Sequence, residues 1–200
     1  VLLHNPASEL ELPRPEKRLP KGALTITQVE ALLAVPNLSD PLGVRDRAML
    51  EVFYSTGLRR FELCGLDLVD FNLDRRTLSV RRGKGHKDRF VVLPALTLQC
   101  LRRYWRDHRH HELLFPGRAG PQGAAPVTFM DRGSTQKAFA RVVADCGIRK
   151  RVSTHSLRHA YATHLFEVGL NLRGVQELLG HACPKTTACY VHMTDKCRDD

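Results

Sequence analysis

Residues 155–190 read HSLRHAYATHLFEVGLNLRGVQELLGHACPKTTACY. The segment parses into two helices and a short third. One runs from a Thr154 cap to Gly169, one opens at Asn171 and closes at Gly180, and the last follows Pro184. His155 and His159 are four apart on one helical face, and Arg158, three residues after His155, lies on nearly the same face. His181 directly follows Gly180 at a helix end, and Tyr190 stands alone among apolar and small residues. Three chemistries compete for such a pattern: a metal, a phosphate, or plain packing.

The metal reading is the weakest. A zinc-protease helix needs Glu after its first His, and position 156 is Ser. Cys183, Cys189 and His192 lack CxxC spacing, and no second pair exists. The phosphate reading rests on Arg158. A guanidinium offers a planar fork that matches phosphate oxygens, and its charge cannot be titrated away. Against it, a helical arginine is more often a solvated surface group.

Working outward, the chain is mostly helical with one small antiparallel sheet, an α+β class. TITQVEALLAV places Ile26, Val29, Leu32 and Leu33 at helical spacing, with Thr27 and Glu30 as a capping box. The next helix has Asp40 as its cap, Pro41 in its first turn and Gly57 as its terminator, and LRRFELCGL starts a short one. TLSVRR and RFVVLP are strand-like runs joined by GKGHKD into a hairpin. ALTLQCLRRYWRDHRH returns to helix, GRAGPQGAAPVT is a loop, and STQKAFARVVADCG is a helix opened by Ser134 and closed by Gly147.

Residues 1–20 carry Pro6, Pro13, Pro15 and Pro20 among charges, which marks an extended linker or tail. A chain that begins in such a stretch is expected to be a fragment of a longer protein, with one folded domain over residues 21–200.

Hydrophobic residues make up 42% of the 200, enough for a real core. No apolar run approaches the ~20 residues of a membrane span, and the stretch VLLHNPASEL lacks the long apolar region of a signal peptide. Lys and Arg number 31 against 21 Asp and Glu, for a net charge of +10, which favours a polyanionic partner such as nucleic acid. The six cysteines are widely spaced and lie mostly in apolar segments, so free buried thiols are expected.

Two further basic elements stand out. In TGLRRFEL, Arg59 opens a short helix and Glu62, one turn on, could hold an arginine in place; Arg60 lies beside it. In RRGKGHKDR, glycines flank Lys84, with Lys87 and Arg89 following. Each element alone reads as well as a solvated turn or a surface ion pair. The ordered set is more specific: GLRxxEL, GKGxKxR, HxxRHxxATH, LLGH, TTxxYxH.

In that order and spacing, from about residue 21 to about residue 192, the chain resembles the catalytic domain of the tyrosine recombinases, the phage integrase and Xer-type group. The resemblance implies that fold and a set of roles. Tyr190 is then the nucleophile, forming a 3′-phosphotyrosine and releasing a 5′-hydroxyl. Arg59 and Arg158 clamp the non-bridging oxygens, and Lys84 protonates the leaving oxygen. His155 assists proton transfer at the tyrosine, and His181 hydrogen-bonds the phosphate. Glu62 supports the arginines, while Arg60, Lys87 and Arg89 meet DNA. His159, His164 and His192 are expected to pack or bond locally.

The resemblance also implies double-stranded DNA as partner, no metal and no cofactor, since two fixed guanidiniums meet the charge that develops in an in-line displacement. A tyrosine of ordinary pKa ≈ 10 becomes reactive beside a base and cations. It further implies a homotetramer on DNA at full length, no membrane, and work in a bacterial cytoplasm at the nucleoid. Family members carry an N-terminal helical DNA-gripping domain and a C-terminal docking segment. This chain begins in the linker and ends in MTDKCRDD, ten residues after Tyr190. It is therefore expected to be monomeric without DNA and to bind DNA weakly and salt-sensitively. The competing readings are a degenerate member that binds and does not cut, a type IB topoisomerase, and a zinc-dependent hydrolase.

Overall fold

The computed structural model describes residues 23–81, 88–117 and 128–181. Seven helices and a three-stranded sheet are seen there. They are α1 (Ile26–Ala34), α2 (Pro41–Thr56), α3 (Arg60–Cys64), β1 (Phe71–Asn72), β2 (Thr77–Val80), β3 (Arg89–Val92), α4 (Ala95–His108), α5 (Arg132–Asp145), α6 (Thr154–Glu167) and α7 (Leu172–Leu179). A 3₁₀ turn, Leu68–Asp70, leads into β1.

Helix α2 is the centre. Ala48, Met49, Leu50, Val52 and Phe53 are all buried, so apolar side chains leave the axis in every direction. Accordingly α1, α3, α4, α5 and α6 all pack on it. Charges at its polar positions are paired rather than solvated. Asp46 is 1% exposed and takes Arg45 at 2.7 Å and Arg141 of α5 at 2.5 Å. Tyr54 hydrogen-bonds His164 of α6 through O–H and Nδ1, 2.9 Å apart, so His164 packs as expected.

Helix boundaries follow local capping chemistry, and three expected caps shift. Thr25, not Thr27, caps α1: its hydroxyl accepts from the Gln28 N–H while the Gln28 side chain accepts from the Thr25 N–H. Asp131, not Ser134, caps α5. Its carboxylate accepts from both the N–H and the hydroxyl of Ser134, which holds Ser134 inside the first turn. Ser153, not Thr154, precedes α6. Asp40, Pro41 and Gly57 bound α2 as expected, and Asn171 and Gly180 bound α7.

The sheet runs β1-β2-β3, all antiparallel, with Leu78 opposite Val91 and Val80 opposite Arg89. Strand β1, two residues long, was not evident from the sequence. Leu78, Val80 and Val91 face the core, while Phe90 and Val92 face out. That parity turns Arg89 inward with Val91, and β3 packs against α7. Cys64, Cys100 and Cys146 are free thiols. No helix of the described residues is long and apolar enough to cross a membrane.

Candidate functional site

The site is built where α7 ends. Gly180 takes a left-handed conformation, φ 63°, and stops the helix, leaving its last carbonyls without intrahelical partners. Three arginines from three other elements fill them. Arg89 donates Nε–H to the Leu178 carbonyl at 3.0 Å, Arg158 donates to Leu179 at 2.5 Å, and Arg59 donates to Gly180 at 3.2 Å. A helix C-terminus carries partial negative charge, so it can hold cations that would otherwise repel one another.

A second helix end joins in. Arg158 also donates to the carbonyl of Gly57, which terminates α2. Arg158 is 0% exposed, so it is not the solvated group a helical arginine usually is. It lies behind Arg59, whose side chain keeps 25% exposure.

Glu62 organises the solvent side. Its Oε1 accepts from Arg59 Nη1 at 2.8 Å and Arg89 Nη1 at 3.0 Å. Its Oε2 accepts from the Arg59 backbone N–H at 2.8 Å and Arg89 Nη2 at 2.8 Å. Four donors on one carboxylate match its lone-pair capacity. Burial pushes the Glu62 carboxyl up, but the hydrogen bonds and charge of Arg89, and then those of Arg59, outweigh it and hold the pKa at about 2.

The imidazoles stay neutral. Burial, then the charges of Arg158, Arg59, His155 and Arg89, lowers His181 to about 4. Burial and the same two arginines, Arg158 and Arg59, lower His155 as well. His159 stands edge-on to His155 with ring centroids 4.5 Å apart, and burial first, then His155 and Arg158, brings it to about 4. A neutral His155 can accept a proton at physiological pH. His181 is anchored by its backbone: its N–H donates to the Gln176 carbonyl at 3.1 Å, and its own carbonyl accepts from the Gln176 side chain at 3.0 Å.

The structure thus gathers Arg59, Glu62, His155, Arg158 and His181 from three segments: the start of α3, α6 and the end of α7. Arg60 lies to one side, donating to Gln136 of α5 at 2.9 Å, and with His155, Ser153 and Thr154 it lines a pocket of about 290 Å³. Arg89 corrects the expectation. Its side chain is 8% exposed and all three nitrogens bond within the protein, to Glu62 and the Leu178 carbonyl. The signal was in the sequence, in its parity with Val91 along the strand. Lys84, Lys87 and Tyr190 lie outside the described residues, as do Cys183, Cys189 and His192. Among the described residues, no group of three or more His, Cys, Asp or Glu could hold a metal ion.

Known proteins resemble this chain in sequence and fold. The model of the Phage integrase family matches residues 23–196. Tyrosine recombinase XerC 2 of Ralstonia nicotianae is 44% identical over 199 residues, covering 96% of this chain and 55% of that protein. Tyrosine recombinase XerD of Pseudomonas aeruginosa is 43% identical over 200 residues, covering 96% and 64%. Among solved structures, XerA recombinase superposes with a TM-score of 0.73 at 28% identity over 88% of this chain and 62% of the other. The post-cleavage complex of XerH site-specific recombinase bound to palindromic difH substrate gives 0.74 at 28% over 90% and 51%. The chain therefore spans between about half and two thirds of the length of these relatives.

Proposed function

The chain belongs to the phage integrase family, and on that footing we propose that it is the catalytic portion of a site-specific DNA recombinase. It cuts and rejoins strands through a 3′-phosphotyrosine. The observation that carries this reading is the cluster of Arg59, Arg158, His155 and His181 around the end of α7. Its two cations are held by helix-end carbonyls, and their charge together with burial keeps both imidazoles neutral.

In the proposed reaction the Tyr190 hydroxyl oxygen attacks phosphorus and forms the new O–P bond, while its proton passes to His155. The P–O5′ bond breaks, and the leaving oxygen takes a proton from Lys84. Negative charge rises on the non-bridging oxygens. Arg59 meets it from the solvent side, Arg158 from the buried side, and His181 donates a hydrogen bond. Because these groups are already held by helix ends and Glu62, little reorganisation accompanies the reaction. The covalent bond to tyrosine conserves the energy of the phosphodiester, so attack by a 5′-hydroxyl rejoins the strand without ATP. Arg60 and Lys87 contact flanking DNA. Double-stranded DNA is the substrate, and four copies act on two duplexes. No metal or cofactor is called on.

The test uses the protein as its gene encodes it and labelled nicked duplexes tiled across the DNA flanking that gene. A nick beside the cleavage point releases the short 5′-hydroxyl fragment and traps the adduct. An SDS-resistant protein–DNA product, formed in EDTA and absent from Tyr190→Phe, is expected. Tight duplex binding with no adduct on any tile overturns cleavage in favour of a non-cutting binder. Relaxation of supercoiled plasmid without site preference favours a topoisomerase.

A further inference from the structure

Arg89 is not explained by the proposed roles. It opens β3, yet its side chain is 8% exposed and its bonds are all to protein groups. Its guanidinium forks onto both oxygens of Glu62, at 3.0 and 2.8 Å, and its Nε–H reaches the Leu178 carbonyl. Its stem lies flat against Gly180, where a Cβ would come within 2.9 Å of Cδ and 3.0 Å of Nη1. Gly180 is the residue that also receives Arg59, and His181 follows it.

We propose that Arg89 is a positioning residue of the site: one buried guanidinium locks β3, Glu62 and the end of α7 together, and so sets Arg59 and His181 for the phosphate. The role rests on the recombinase reading. The geometry needs arginine specifically, because three donors in a fixed fork meet three acceptors on two different elements. A lysine, as a point charge on a flexible stem, meets one of them well. Without Arg89, Glu62 keeps only the Arg59 donors and the end of α7 loses one of its three ties. Arg59 is then bonded to two partners no longer held in register.

The test compares Arg89→Met and Arg89→Lys with wild type and with Tyr54→Phe as a mild stability control. On the DNA-free protein, NMR titration of the His181 ring is expected to move up from about 4 in both variants, most in Arg89→Met, as charge and burial relax. On a nicked duplex that wild type cleaves, adduct formation at saturating DNA is expected to fall about a hundredfold in Arg89→Met, the loss that a misplacement of about an ångström brings. Arg89→Lys recovers part of it. The salt dependence of DNA binding stays unchanged.

A slope reduced by about one with the saturating rate intact would make Arg89 a phosphate contact and overturn the proposal. A lower melting temperature alone, with His181 titration and rate as in wild type, would make it a plain structural ion pair and overturn it too. Should Arg89→Met fail to fold, Arg89→Lys carries the same readouts. Should wild type form no adduct at all, the recombinase reading fails, and the His181 titration alone decides whether Arg89 sets the site.

Discussion

Replacing Gly180 by alanine tests the packing at the end of α7 against a control the fold provides. Gly147 ends α5 with φ 70° and has nothing within 4 Å of where a Cβ would stand. Alanine at either position adopts the left-handed region, at about 1–2 kcal/mol. Reduced freedom of the unfolded chain offsets about 0.4–1 kcal/mol of that. Gly147→Ala is therefore expected to destabilise by about 1 kcal/mol. At Gly180 the added carbon also meets Arg89 Cδ at 2.9 Å and Cζ at 3.2 Å. Carbon contacts relax at about 3.5–4.0 Å, so the Arg89 stem backs off by roughly 0.6–1 Å.

That displacement carries hydrogen bonds of 2.8–3.0 Å to Glu62 and Leu178 past the ~3.5 Å at which they cease to count. One charge-assisted bond is worth about 1.5–3 kcal/mol. Gly180→Ala is thus expected to destabilise by about 3 kcal/mol, some 2 kcal/mol beyond the control. For a chain of this size that difference lowers the melting temperature by roughly 4–8 °C. Thermal unfolding followed by circular dichroism at neutral pH measures it directly. Melting temperatures within about a degree of each other would refute the reasoning, because Arg89 would then have room the structure does not show.

Other expectations concern charge and core. Glu62 falls from about 4.5 in the unfolded chain to about 2 when folded, so its contribution is complete above pH 4.5 and is lost as pH falls toward 2; Glu62→Gln is expected to remove up to about 3 kcal/mol at pH 7 and to flatten that acid limb in urea titrations. His159 and His181 are depressed from 6.5 to about 4, so stability also declines as pH drops between those values, a limb that Glu62→Gln leaves in place. Phe53→Ala empties the middle of α2, where the ring is 0% exposed, and should cost about 3–5 kcal/mol in chemical denaturation. Tyr54→Phe removes the bond to His164 and should cost about 1 kcal/mol without changing the His181 titration.

Helix ends that depend on one residue's backbone were legible from sequence. Gly57 and Gly180 each take a conformation open chiefly to glycine, and each stands where the apolar spacing stops. Starts were harder, because several polar residues compete to cap. Thr25 and Thr27 each have a residue three on that could answer, Gln28 and Glu30, and it is Gln28 that does so, from its side chain. Asp131 outranks Ser134 by taking both its N–H and its hydroxyl, a relation no propensity ranks. Arg158 and Arg59 were legible as cations but not as a buried and a partly exposed pair. The depth of Arg158 is set by the Gly57 and Leu179 carbonyls, 101 and 21 residues away in the chain, and Arg59 reaches the Gly180 carbonyl 121 residues on. Likewise the bond between Tyr54 and His164 spans 110 residues, and nothing local foretells it.

The same separation explains why the arginines can coexist. Three guanidiniums crowded at one point would repel one another strongly in a medium less polar than water. Here each meets a different carbonyl of α7, and two share Glu62. One full negative charge and two helix C-termini thus offset three positive charges and leave the cluster net cationic. An anion arriving at Arg59 meets that surplus charge already fixed in place. Neutralising the cluster further, with a second carboxylate, would steady the fold and weaken its hold on a phosphate. Removing Glu62 would do the reverse to the fold and would free Arg59 from its register. On this account the single carboxylate is a compromise between folding and anion binding. It places the sensitivity of the cluster in Glu62 and Arg89 as much as in the more exposed Arg59.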